Sequence, residues 1–133
     1  MKLSYEGHAF DPLYLYRCTP LRVVDGDTVD VDVDLGFHVH RHERIRLAGI
    51  DAPELRGEER ARGLEAQVAL ANLLWDQGGY PRPARVWTDK DRRGKWGRFI
   101  GVLLVEVDGE MVDVCRWMVE QGHAVPYPEN QGT

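Results

Sequence analysis

The chain has 133 residues, 43% of them hydrophobic, enough for one compact core and too few for two ordinary domains. Lys and Arg number 17 against 22 Asp and Glu, and a formal charge of −5 argues, taken as a total, against a nucleic-acid partner. Positions 1–20 mix charged and histidine side chains with no apolar run that suits a signal-peptide core or a membrane span, so a cytoplasmic monomer with no membrane partner is expected. The whole chain, 1–133, reads as one domain with its core at about 13–127 and flexible ends.

Leu13 to Val24 reads as the first strand, with Pro12 before it and the turn Asp25-Gly26-Asp27-Thr28 after it. Val29, Val31 and Val33 then alternate with Asp30, Asp32 and Asp34, which puts valines on one face of a strand and carboxylates on the other. Leu35-Gly36-Phe37 supplies a turn, and Val39 to Ile50 returns as the partner strand of a hairpin. From Glu58 to Gln77, Leu64, Val68, Ala71 and Trp75 recur at helical spacing, and Gly78-Gly79 supplies the stop. Ala84 to Thr88 and Arg98 to Val107 are further strands, and Asp108-Gly109 turns the chain into Glu110 to Val112. A shorter helix, Val112 to Gln121, groups Val114, Trp117 and Met118 and ends at Gly122; the tail after Pro126 is expected to fray. Short strands in two antiparallel groups with interposed helices predict an α+β, mainly β fold. The expected form is a five-stranded Greek-key barrel of the oligonucleotide-binding (OB-fold) type with two or three packed helices.

Charge is distributed unevenly along this scaffold. Between Arg82 and Arg98 lie seven basic residues and two acidic ones, whereas Asp25, Asp27, Asp30, Asp32 and Asp34 fall within ten positions. An acidic focus beside a basic loop can hold a cation and a polyanion together, although charge alone favours the simpler account of two solvated faces. The neighbours of these acids shift that balance. Asp27 and Asp51 lie on different strands that a hairpin can bring together, and their carboxylates with the Ala52 carbonyl offer oxygen to a hard divalent cation. Arg46 and Arg98 supply two guanidinium forks suited to phosphate, and Glu54 follows Pro53 close by.

With these motifs the sequence resembles the staphylococcal-nuclease-like, or thermonuclease, family over roughly 23–127. The resemblance is carried in order by Val24-Asp25-Gly26-Asp27-Thr28, by Arg46-Leu47 with Ile50-Asp51-Ala52-Pro53-Glu54, by Trp96-Gly97-Arg98, and by Gln121-Gly122-His123-Ala124. It implies a Ca2+-dependent hydrolase acting on single-stranded DNA or RNA and leaving 3′-phosphates. Asp27, Asp51 and the Ala52 carbonyl would hold the metal, with Asp25 behind them. Glu54 would act as general base or water positioner, and Arg46 and Arg98 would grip the scissile phosphate. Lys95, Trp96 and Tyr127 would contact substrate. Two positions depart from the family pattern. Ala52 stands where the family has threonine, which spares a main-chain ligand. Trp96 replaces tyrosine and keeps a stacking surface without the phenol hydroxyl.

Other groupings are open to simpler accounts. His38, His40 and His42 share a strand face on which a transition metal could sit, but a three-residue loop at Leu35-Gly36-Phe37 sets them opposite Asp34, Asp32 and Asp30 as polar cross-strand pairs. Cys18 and Cys115 read as reduced, buried thiols, and Trp75 and Trp117 as core. The main functional alternative is a non-catalytic OB-fold nucleic-acid-binding module, since barrels of this type often bind without cutting.

Overall fold

The computed structural model describes residues 3–5, 8–10, 12–93 and 97–127, with the side chains of 12–89, 91–93 and 97–127. The tail expected to fray lies from position 128 onward outside the described residues. The strands are β1 (Leu3–Tyr5), β2 (His8–Phe10), β3 (Leu15–Asp25), β4 (Thr28–Asp34), β5 (His40–Leu47), β6 (Ile50–Asp51), β7 (Ala84–Arg93), β8 (Phe99–Val107), β9 (Glu110–Asp113) and β10 (Val125–Pro126). The helices are α1 (Arg60–Leu74) and α2 (Val114–Glu120). None of the described helices is long and apolar enough to cross a membrane.

The main sheet runs β5-β4-β3-β7-β8-β9, and a parallel pairing of β5 with β8 closes β3, β4, β5, β7 and β8 into the expected five-stranded barrel. Closure leaves no open edge between β5 and β8, and it sets Ile45 opposite Phe99 and Arg46 opposite Ile100. On β4 the valines point in, with Val29 and Val31 fully buried, as their alternation requires. Pro20 sits within β3 where no amide donor is available, and the register against β4 shifts between Pro20 and Arg22. The expected turn at Asp108-Gly109 joins β8 to β9, with both residues at positive φ. The hairpin of β1 and β2 has no counterpart in the sequence reading; β2 lies against β7.

The β4–β5 register differs from the expected one. His40 lies opposite Asp34, His42 opposite Asp32, and Arg44 rather than a histidine opposite Asp30. The loop takes in His38 and Val39 because Gly36, Phe37 and His38 all adopt positive φ, and Leu35 N–H closes it on the Val39 carbonyl at 2.8 Å. Arg44 then makes a two-pronged contact with Asp30, at 2.8 and 3.1 Å, and His40 Nδ1 reaches Asp32 diagonally at 3.3 Å. The return strand also ends earlier than expected. Gly49, at φ 74°, turns the chain after Leu47, so that β6 leaves the barrel and pairs with β10.

Helix α1 departs from the expected facing at Leu64 and Val68, while Ala71 and Trp75 do pack against the core. It follows a 3-10 turn at Gly57–Glu59 and buries Gly63, Ala66, Leu70, Leu73 and Leu74, whereas Leu64 is 38% and Val68 56% exposed. Small residues set this orientation. A Cβ on Gly63 would stand 2.3 Å from the Glu54 carbonyl oxygen, and one on Gly26 would stand 2.7 Å from the Ala66 Cβ. The helix therefore lies directly on the backbone of the two acidic segments. Helix α2 is capped by Asp113, which accepts the Arg116 N–H at 3.2 Å, and it ends where Gly122 takes φ 79°. Trp75 and Trp117 pack partly buried against the core, and Cys18 and Cys115 are buried thiols not joined in a disulfide.

Candidate active site

Between β3 and β4 the chain reverses over Gly26 and Asp27, with Asp25 opposite Thr28. Asp27 is only 7% exposed, and every oxygen on its carboxylate is engaged. Oδ1 accepts from the Thr28 hydroxyl at 3.0 Å and Oδ2 from the Ala52 N–H at 2.9 Å. Asp25 Oδ1 in turn accepts the Asp27 N–H at 3.1 Å, so one carboxylate braces the backbone that carries the other.

Arg46 lies across from Thr28 on β5. Its Nη2 is 3.5 Å from Asp27 Oδ2 and 3.4 Å from Asp51 Oδ1, and its Nη1 donates to the Leu47 carbonyl at 3.1 Å. The guanidinium thus stands between the two aspartates. Tyr127 covers it from one side, with the guanidinium carbon 5.9 Å from the ring centre, and Tyr127 N–H is held by the Gly49 carbonyl at 2.8 Å. Asp51 is half exposed on β6, whose pairing with Val125 brings the end of the described chain alongside it.

Glu54 is exposed, but its backbone is anchored. Its N–H donates to Glu59 Oε1 at 3.2 Å, Arg60 Nη1 holds the Leu55 carbonyl at 2.8 Å, and Gly63 packs beneath. Arg98 arrives from the opposite side, immediately before β8. Its Nε is buried and has no hydrogen-bond partner among the described residues. Asp25, Asp27, Arg46, Asp51, Ala52, Pro53, Glu54 and Arg98 together line one cleft of about 250 Å³. Tyr127 borders it through Arg46, and Lys95 and Trp96 lie outside the described residues.

The acids strain against one another. Burial, with the hydrogen bond and charge of Asp27 next, pushes the Asp25 carboxyl up to about 6. Burial and the Asp27 charge also raise Asp51, against the opposing pull of Arg46. Among the described residues no group of three or more His, Cys, Asp or Glu side chains is arranged to hold a metal. Asp27 and Asp51 instead meet at the Arg46 guanidinium, and both line the cleft, where they offer hard oxygen donors.

Two contributors escaped the sequence reading. Glu59 holds the Glu54 amide from the 3-10 turn, and Gly63 with Ala66 lets α1 approach. Neither carries a motif; only the acidic residues just before the helix hinted at the first.

A family model described as Staphylococcal nuclease homologue matches residues 44–132. That span includes Arg46, Asp51, Glu54 and Arg98 and begins after Asp25 and Asp27. The chain is also 34% identical to Succinoglycan biosynthesis protein ExoI of Rhizobium meliloti (strain 1021), over 77% of this chain and 48% of that protein. It is 33% identical to Protein ParB of Escherichia coli, over 80% of this chain and 55% of the relative. With Micrococcal nuclease of Shigella flexneri it shares 30% identity over 84% of this chain and 59% of the relative. The chain thus spans about half the length of the curated relatives it matches.

Proposed function

The chain belongs to the staphylococcal nuclease homologue family, and from that membership we propose that it is a calcium-dependent nuclease that hydrolyses phosphodiester bonds in single-stranded DNA or RNA. The observation that carries this reading is the single cleft shared by Asp27, Arg46, Asp51, Glu54 and Arg98, which reach it from a turn, two strands and two loops. A binding module that had lost catalysis would have no reason to keep an acid, two guanidinium groups and a carboxylate pair in one cleft.

Asp27, Asp51 and the Ala52 main-chain oxygen, with Asp25 behind, would hold calcium, which would supply positive charge to offset what grows on the phosphate. The chain's own side chains do the rest. Arg46 and Arg98 offer forked donors to the nonbridging oxygens, where negative charge grows as water attacks. Glu54, exposed at the cleft edge, orients that water and takes its proton. Loss of the 5′ oxygen leaves a 3′-phosphate. Lys95, Trp96 and Tyr127 contact the flanking nucleotides.

Steady-state cleavage of single-stranded DNA by purified variants tests these roles. Arg98→Ala should lower kcat by about a hundredfold or more, as expected for a transition-state donor. Glu54→Gln should lower it by about 10²–10⁴. Near wild-type kcat in either variant contradicts the assignment.

A further inference from the structure

Two hydroxyls meet one carboxylate at the start of the segment that leads into Arg98. Tyr16, on β3, donates to Asp91 Oδ2 at 2.9 Å, and Thr88, on β7, donates to Asp91 Oδ1 at 2.5 Å. The same threonine oxygen accepts the Asp91 N–H at 2.9 Å. Asp91 itself has φ 56°, a left-handed conformation uncommon among non-glycine residues, though aspartate adopts it more readily than most.

The sheet register shows what is being held. Thr88 lies opposite Gly101 and Arg93 opposite Phe99, so β7 carries extra residues between those pairs, and Asp91 sits within the resulting bulge. Phe99, at the bulge's far end, pairs on its other side with Ile45, next to Arg46. Arg93 lies over the Phe99 ring with its guanidinium carbon at 4.8 Å. Arg98 directly precedes Phe99. Its Nε has no hydrogen-bond partner among the described residues, so no bond at that nitrogen fixes the side chain independently of the backbone that carries it.

We propose that Tyr16, Thr88 and Asp91 form a positioning cluster for Arg98, in which the Asp91 carboxylate, gripped by two hydroxyls, fixes the bulge that presents Arg98 to the substrate phosphate. The proposal rests on the nuclease reading above. Bulges beside functional sites commonly re-aim a side chain in this way. Burial, then the Asp91 hydrogen bond, pushes the Tyr16 phenol up to about 12, so it stays a donor at any assay pH near neutrality.

The test is a double-mutant cycle, read as kcat and KM on single-stranded DNA with calcium and corrected for folded fraction. Asp91→Gly accepts the positive φ but removes the carboxylate. It should lower kcat by about 10- to 100-fold, the scale of a small misplacement of a catalytic group, with KM changed by less than about threefold. Tyr16→Phe should give a smaller loss in the same direction, and Asp91→Asn, which tolerates the backbone and keeps an acceptor, should restore most of the rate. In an Arg98→Ala background Asp91→Gly should cost nothing further, because its effect passes through that arginine. Equal losses in both backgrounds, or a kcat loss that vanishes after correction for folding, overturn the positioning role alone. No cleavage by the wild-type chain overturns the nuclease reading and this inference with it.

Discussion

Arg46 holds its guanidinium 3.5 Å from Asp27 and 3.4 Å from Asp51, with Tyr127 against its other side. In this arrangement the arginine partly neutralises two carboxylates that otherwise repel. Removing it leaves the acids uncompensated, so Arg46→Ala should lower kcat on single-stranded DNA by about a hundredfold or more. An unchanged kcat in steady-state kinetics would separate Arg46 from the chemistry. The thiols behave differently. Burial, with the Asp32 charge behind it, pushes Cys18 up to about 12 from an ordinary 9.0. The folded thiol therefore keeps its proton, and the stability this contributes is complete below about pH 9 and lost as pH rises through 12. Alkylation followed by mass spectrometry at pH 8 should find Cys18 at least about a hundredfold slower than the same residue in denaturant, since thiolate is the reactive form. Equal rates would contradict its burial. At this scale the grouping of the aspartates, arginines and Glu54 in one cleft was legible because each chemical type stood in a recognisable order. Glu59 and Asp91 were not, because an amide anchor and a bulge clamp leave no spacing in the sequence.

Elements were legible where one face is apolar and the other polar, and illegible where small residues or unusual backbone angles decide. The alternating valines and aspartates of β4 gave its facing directly. The register of β5 slipped by two residues because Phe37 and His38 adopt left-handed angles, which nothing in two non-glycine side chains announces. The facing of α1 turned on Gly63 and Ala66, residues whose value lies in what they lack. Two substitutions check this orientation. Leu70→Ala, on the buried face, should cost about 2–5 kcal/mol in denaturant unfolding, and Val68→Ala, on the exposed one, less than about 0.5 kcal/mol. The reverse ranking would restore the stripe of Leu64, Val68, Ala71 and Trp75 as the core face. Gly63→Ala pushes a methyl into the Glu54 carbonyl, and overpacking of this kind costs about 1–3 kcal/mol. It should also lower kcat by displacing Glu54, and a Gly63→Ala protein with wild-type stability and rate would mean that the helix yields freely.

Across the whole molecule, the parallel pairing of β5 with β8 makes the site possible. It closes the barrel and brings Arg46, from the middle of the chain, to the rim that Arg98 reaches some fifty positions later. The antiparallel grouping of strands was readable from the sequence, but this closing pair was not, since parallel partners distant in sequence share no turn. An acidic total charge likewise concealed a cleft in which arginines face carboxylates. If calcium binds the folded chain through those carboxylates, it must also stabilise it, so Tm should rise with calcium concentration and Asp27→Asn should abolish the rise. The most direct measurement is incubation of the purified wild-type protein with single-stranded DNA, in calcium and in chelator, with the new ends identified. Cleavage in calcium alone, leaving 3′-phosphates, is the predicted result. DNA left intact in calcium, or cut equally well in chelator, would contradict it.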